Sequence, residues 1–265
     1  MKITVFTSNQ RRHLSLINDL ASVADTVFAV QEVTTLFPGK IEDFYRKSPI
    51  MQRYFERVTA AEERLFLHPK FLPDNVRTLA LRMGDLNSIS PDWIAESLDA
   101  DLFVVFGASF IKRPLVDVLV EKKAINIHVG VSPFYRGSSC NFWAVNDNNA
   151  EYVGATIHLL TAGLDSGPML FHTFPSYDGE NPFEFTMKAV KSAHIGLVSR
   201  IADASLKELL PEPQDRSCQL RYSKKDDFTD GIAERFLARG DSLDSLSMQV
   251  SRRDLSLFKD PFVLQ

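Results

Sequence analysis

The chain has 265 residues, 45% of them hydrophobic and 24% charged, enough for one sizeable core or a core with an appendage. A net charge of -4 and a pI of about 5.9 argue against a protein whose main task is gripping phosphate backbone, which carries a basic surface. Cys140 and Cys218 form no ligand-spaced cluster, and His13, His68, His172 and His194 lack ligand spacing, so no catalytic metal is expected.

The first residues, Met-Lys-Ile-Thr-Val-Phe-Thr-Ser, form a strand pattern over 2–7. They lack the basic start, apolar stretch and cleavage site of a signal peptide. No segment approaches the ~18 consecutive apolar residues of a membrane span. The expected home is the cytoplasm. Residues 11–23 read as an amphipathic helix, with Leu14, Leu16, Ile17, Leu20 and Val23 at helical spacing. A second strand over 25–31 completes a βαβ opening, which predicts a parallel sheet.

The stretch 39–67 is charged and aromatic and too long for an ordinary connection. Phe44, Tyr45, Tyr54, Phe55 and Val58 are near helical spacing, so two inserted helices are expected. They would either cover the sheet edge or wall an acceptor pocket or interface. The α/β rhythm then resumes with a strand over 76–81, a helix over 91–98 capped by Ser90, and an apolar strand over 102–106. Residues 107–110 form the loop at that strand's carboxyl end, where ligands of open α/β sheets bind. Strand 124–128 puts Asn126 and His128 on one face by the two-residue period. A helix starts over 141–145, strands follow over 153–160 and 168–174, and a long helix covers 182–205. Pro211-Glu-Pro-Gln214 is linker-like, and two helical patterns close the chain over 229–238 and 242–258. The expected fold is α/β: an open, mostly parallel, Rossmann-like sheet. A catalytic domain spans 1–206 with a helical insertion over 39–68, and a short C-terminal extension spans 207–265.

The chemistry concentrates in two segments. Ala124-Ile-Asn-Ile-His-Val-Gly-Val-Ser-Pro-Phe-Tyr-Arg-Gly137 carries Asn126, His128 and Arg136; Ala162-Gly-Leu-Asp-Ser-Gly-Pro-Met-Leu170 carries Asp165. Acyl transfer to an amine needs a donor toward developing negative charge, a group that moves protons near neutral pH, and a carboxylate that orients it. Asn126, His128 and Asp165 have those abilities. No Gly-x-Ser-x-Gly elbow suggests an acylated side chain. An Asn-x-His alone is weak, since a strand histidine is commonly a satisfied core residue; His158 and Trp143 read as packing.

Order and spacing carry more. Asn-Ile-His, then Ser-Pro-Phe-Tyr-Arg-Gly, then Gly-Ala-Thr-Ile-His ahead of Gly-Leu-Asp-Ser-Gly-Pro-Met-Leu resembles the catalytic half of the folate-dependent formyltransferases that act on methionyl-tRNA and glycinamide ribonucleotide. The resemblance is strong over 102–170, a matter of fold rhythm over 2–98, and lapses in the insertion and much of the tail. It implies that Asn126, His128 and Asp165 are catalytic and that N10-formyltetrahydrofolate is the co-substrate. It also implies a pterin slot, for which Phe106, Gly107, Ala108, Ser109, Phe110, Gly163 and Leu164 are the candidates. Arg136 completes a turn shared with the family and either positions substrate or pairs structurally.

The acceptor is read from the surroundings. The stretch 207–265 is too short for the barrel-like domain of tRNA-specific relatives. Phe6-Thr-Ser-Asn-Gln-Arg-Arg-His13 lacks the glycine-rich phosphate loop of the purine-pathway enzymes. The branch acting on nucleotide-linked amino-deoxysugars, for surface polysaccharide (lipopolysaccharide or O-antigen) biosynthesis, is left as the leading expectation. Asn9, Arg11 and Arg12, near a helix N-terminus, would favour its diphosphate. A homodimer is expected, with no nucleic acid partner and no membrane span. The alternatives are a methionyl-tRNA formyltransferase-like enzyme without the usual C-terminal domain, and a folate-binding module without turnover.

Overall fold

Apolar runs bounded by turn residues alternate with amphipathic ones through the first two-thirds of the chain, and each run becomes a strand or helix of one layered α/β unit. The structure, a computed structural model, describes residues 1–34, 44, 47–66, 71–239 and 243–265, without the side chains of 243 and 244. In chain order the strands are β1 (Lys2–Thr7), β2 (Thr26–Val33), β3 (Val76–Arg82), β4 (Leu102–Val105), β5 (Ile125–His128), β6 (Tyr135–Gly137), β7 (Ala155–Leu159), β8 (Met169–Pro175), β9 (Arg221–Ser223) and β10 (Phe262–Leu264). The helices are α1 (Arg11–Ala21), α2 (Pro49–Leu65), α3 (Leu115–Glu121), α4 (Cys140–Asn146), α5 (Pro182–Ala202), α6 (Asp230–Ala238) and α7 (Leu243–Val250).

Eight strands form an open sheet in the order β10-β8-β7-β5-β4-β1-β2-β3, and β6 pairs separately with β9. The run from β5 to β3 is parallel, β7 is antiparallel to β5 and β8, and β10 returns parallel to β8. Helices cover both faces of the central strands, so β1 reads as a buried run rather than an alternation. One core cluster joins Leu16, Ile17 and Leu20 of α1 to Phe185 and Leu197 of α5, a second lies around Phe6, Leu115 and Leu119, and a small third joins Val131, Phe174 and Phe258.

The register creates a notch. Val104 and Val105 at the end of β4 lie beside Ile125 and Asn126 at the start of β5. β5 therefore projects beyond β4, and residues 106–110 leave β4 alongside it. Because β7 runs backwards, Leu159 at its end also lies beside Ile125, so the loop 160–168 departs at the same level.

Several elements differ from the sequence expectation. Of the two helices expected in the insertion, the described residues contain α2, started by Ser48 accepting from the Met51 N–H with Pro49 at the first turn. Residues 39–43, 45, 46, 67 and 68 of that expectation lie outside the described residues. The helix expected over 91–98 is a 3₁₀ turn, Pro91–Ile94: Ala95 N bonds to Asp92 O, and of the stretch's apolar side chains only Ile94 and Leu98 are buried. α3, unforeseen, buries Leu115, Val116 and Leu119. The last helix stops at Val250, not 258, since Asp254 accepts from Ser256 N and starts a 3₁₀ turn that leads into β10.

The stretch 207–265 is bonded closely to what precedes it. β10 extends the main sheet through Phe262 opposite Thr173. β9 pairs with β6 so tightly that a Cβ at Gly137, whose φ is +90°, would lie 1.9 Å from Ser223 O. The Arg221 guanidinium lies 3.7 Å from the Trp143 ring and donates to Asp147. Half-buried Arg253 donates to the carbonyls of Glu151, Val153 and Pro175.

Candidate active site

The notch between the 106–110 and 160–165 loops is a cleft of about 320 Å³. Asn126 and His128 of β5, His158 of β7 and Asp165 all line it. Alternation on β5 sends Ile125 and Ile127 into the core and presents the two polar side chains on the other face. Antiparallel pairing puts His158 directly opposite Asn126. Asp165 arrives from a tight loop and has a φ of +43°, a left-handed conformation that costs a non-glycine residue roughly 1–3 kcal/mol. The loop holds it there through Gln214, whose Nε2 donates to Asp165 O at 3.0 Å and Gly167 O at 2.9 Å. A Cβ at Gly167 would meet Leu159 O at 1.7 Å, so the loop closes only over glycine.

The polar groups form a connected network. His128 Nδ1 lies 3.2 Å from Asp165 Oδ2, and His128 Nε2 lies 3.5 Å from Cys140 Sγ. Cys140 Sγ in turn lies 3.4 Å from Gly137 O. Asn126 Nδ2 donates to Asp165 Oδ1 at 3.1 Å and lies 3.0 Å from His158 Nε2. His158 Nδ1 faces Leu159 O at 2.8 Å and must donate there, so its Nε2 accepts from Asn126. Both amide hydrogens of Asn126 are thus engaged, and one must turn to serve a ligand.

Charge in the network is set by these contacts. Burial opposes a charged His128, but Cys140 and then Asp165 outweigh it and hold the imidazole's pKa well above the ordinary histidine value. Burial likewise opposes a charged Asp165; His128 outweighs it and holds the carboxyl well below the usual carboxylate range. Both shifts favour the imidazolium–carboxylate form of the pair. An imidazolium donates from both nitrogens, matching Asp165 on one side and the sulfur on the other. Such a group can give a proton or stabilise a developing negative charge, and Asn126 can add a neutral donor.

The other candidates divide. Phe106, Gly107, Ala108, Ser109, Phe110, Gly163 and Leu164 all line the cleft. Phe106 is buried between the rings of His13 and His194, whereas Phe110 and Leu164 are about half exposed at the rim. Gly107 has a φ of +70°, and a Cβ there would lie 2.4 Å from His13 Nε2. Small residues, exposed apolar rims and main chain suit the flat face and polar edge of a pterin. Among the described residues no group of His, Cys, Asp and Glu is arranged to hold a metal ion.

Asn9, Arg11, Arg12 and Arg136 do not join the cleft. Asn9 exchanges hydrogen bonds of 2.9 Å with Thr34 N and O. Arg11 pairs with Glu63 at 2.9 Å, and Arg12 with Glu62 at 2.7 Å. Glu62 also accepts from Arg12 N at 3.0 Å, so α2 itself brings a carboxylate to the α1 N-terminus where a diphosphate was expected. Arg136 is buried beside β9 and reaches Gln219 Oε1 at 3.4 Å.

Sequence reading left His158, Cys140 and Gln214 out of the site. The signal for His158 was available: Thr-Ile-His on the strand antiparallel to Ile-Asn-Ile-His. Cys140 and Gln214 reach the network through tertiary folding, and nothing in their neighbourhoods marks them.

Residues 92–201 match the family model described as Formyl transferase. The chain is 31% identical over 136 residues to the methionyl-tRNA formyltransferase of Synechococcus sp. (strain JA-3-3Ab), covering 50% of this chain and 42% of that protein. It is 29% identical over 164 residues to the methionyl-tRNA formyltransferase of Cyanothece sp. (strain PCC 7425), covering 60% and 46%. It spans about half the length of the curated relatives it matches. Among solved structures, a sugar N-formyltransferase from Shewanella sp. superposes with a TM-score of 0.52 at 17% identity, over 86% of this chain and 78% of that one. A 4-N formyltransferase from Francisella tularensis gives 0.53 at 17% identity, over 86% and 77%. At these identities the likeness shows the fold, which these enzymes share with this chain.

Proposed function

We propose that this chain, whose residues 92–201 match the formyl transferase family model, transfers the formyl group of N10-formyltetrahydrofolate to the amine of a nucleotide-linked amino-deoxysugar. The observation that carries the reading is the Asn126–His128–Asp165 network in a cleft walled by 106–110 and 163–165. When bound, the folate supplies an activated formyl carbon. The chain's residues do the rest. Asp165 holds His128 by its Nδ1 and keeps it protonated. His128 stabilises negative charge developing on the transferred oxygen and returns a proton to the departing nitrogen. Asn126 adds a second donor by turning one N–H from Asp165 or His158 toward that oxygen. Having given its proton to the departing nitrogen, the neutral His128 imidazole takes the proton the amine loses as its new bond to carbon forms, so His128 ends as it began and no side chain is acylated.

For the acceptor, support comes from the absence of a glycine loop after β1 and from the solved fold relatives, which include sugar N-formyltransferases. A second reading, methionyl-tRNA as acceptor, is favoured by the sequence relatives over the catalytic half. Residues 1–206 are taken as the catalytic unit and 207–265 as an extension that braces it, in a cytoplasmic homodimer. The test is incubation with N10-formyltetrahydrofolate and a panel of dTDP-, UDP- and GDP-linked 3- and 4-aminosugars, with initiator methionyl-tRNA alongside, followed by mass spectrometry. Formylation of an aminosugar is expected. Formylation of the tRNA alone would replace the sugar reading with the second one, and folate binding without transfer to any acceptor would leave a binding module.

A further inference from the structure

We propose that Glu32, at the end of β2 and outside the family-matched segment, is a positioning residue that fixes the 107–110 wall of the cleft for the folate. The inference rests on the formyl-transfer reading above. Glu32 sits two strands away from β4, yet its fully buried carboxyl group reaches the loop that follows β4. Oε2 accepts from Ser109 N at 2.6 Å and Oε1 from Ser109 Oγ at 2.9 Å. Oε1 also accepts from Gly84 N at 2.8 Å and Leu86 N at 3.3 Å, in the connection after β3.

A buried carboxyl group is costly unless its lone pairs are met, and here four donors from two loops meet it. Both loops turn through a left-handed glycine, Gly84 at a φ of +98° and Gly107 at +70°. Residues 107–110 lie outside any helix or strand; this carboxyl group holds Ser109, the His13 ring lies beneath Gly107, and Asn87 Nδ2 donates to Phe110 O at 3.0 Å. The consequence for the cleft is chemical as well as geometric. Ser109 lines the cleft, but both its N–H and its O–H are drawn back to Glu32. The wall that a ring would face is thereby left to Phe106, Ala108, Phe110 and Ile111. Glu32 touches no substrate in this account; it acts through Ser109.

The test measures the dissociation constant of 5-formyltetrahydrofolate by calorimetry, KM for each substrate, and Tm, in wild type, Glu32→Gln and Ser109→Ala. Glu32→Gln keeps the shape but places an N–H against donors. It is expected to weaken folate binding and raise the folate KM roughly ten- to hundredfold, with the acceptor KM unchanged. Ser109→Ala removes one of the four bonds and is expected to weaken folate binding about three- to tenfold while the protein stays folded. A lower Tm with unchanged folate affinity, well below the melting range, would make Glu32 merely structural and overturn the proposal. Should Glu32→Gln fail to fold, Ser109→Ala decides: weaker binding supports the role, unchanged binding sinks it. Wild type that binds no folate would overturn the formyl-transfer reading, and this inference with it; wild type that binds while both variants bind equally well overturns this inference alone.

Discussion

Two groups of polar side chains stand at the same end of one sheet and come to different ends. Asn9, Arg11 and Arg12 follow β1, near a helix N-terminus where an anion is electrostatically welcome. Asn126 and His128 lie on β5, two places along in the strand order. In the first group the partners come from elsewhere in the chain: Thr34 takes Asn9, and Glu62 and Glu63 of α2 pair with Arg12 and Arg11. In the second group Asn126 and His128 both bond to Asp165, and these three and His158 face the cleft. A position at the carboxyl edge offers opportunity; what decides its use is whether the polar groups and their partners face an open cleft.

The comparison can be broken most forcefully at the β5 network. His128→Ala or Asp165→Ala is expected to lower kcat/KM for formyl transfer by about 10²–10⁴-fold with the fold intact by circular dichroism. Asn126→Ala should cost about 10²–10³-fold, the loss of one donor to developing charge. Near-normal turnover in any of these would remove the cleft from the chemistry. Gln214→Ala sharpens the same region from outside. Without its two bonds the Asp165 loop can relax from its left-handed turn, and kcat should fall roughly tenfold while folate affinity holds.

The β1 group predicts the opposite signature. Arg12→Ala leaves the buried Glu62 without its cation and should lower stability by about 1–3 kcal/mol in denaturant titration. Turnover constants should stay within about twofold. A large rise in acceptor KM at unchanged stability would show that Arg12 serves the substrate after all.

Proton linkage separates the two kinds of histidine. His128 has a raised pKa, so its stabilising contribution is complete below pH 6.5, its ordinary value, and is lost as pH climbs through the higher folded value. Activity that needs imidazolium should fall on the same alkaline limb, and Asp165→Asn should move that limb to lower pH. His172 and His194 are the reverse. Burial pushes them down to about 4 and about 3, so the stability they favour is present above 6.5 and lost as pH falls through those values. A Tm profile that is flat from pH 7 to 4 would contradict this.

Much of this was legible in the sequence, for identifiable reasons. The strand–helix rhythm and the shared face of Asn126 and His128 follow from local periodicity, and the Asp165 loop follows from motif order. α3 and β10 escaped because seven- and three-residue elements carry too little pattern to stand out. The helix expected over 91–98 shrank to a 3₁₀ turn, with only Ile94 and Leu98 of the stretch's apolar side chains buried. The fate of Arg11 and Arg12 was illegible because it depends on how α2 lies across α1. Glu32 and Gln214 reach the cleft walls across strands and loops that no spacing rule connects.

The central claim is that Asp165, acting through His128, drives transfer rather than folate capture. It is tested most directly by measuring folate binding and single-turnover formyl transfer on the same preparation of wild type and Asp165→Asn. The account predicts folate affinity within a few-fold of wild type and transfer reduced by at least about a hundredfold. Transfer preserved in the variant, or lost only in proportion to lost folate binding, would contradict it.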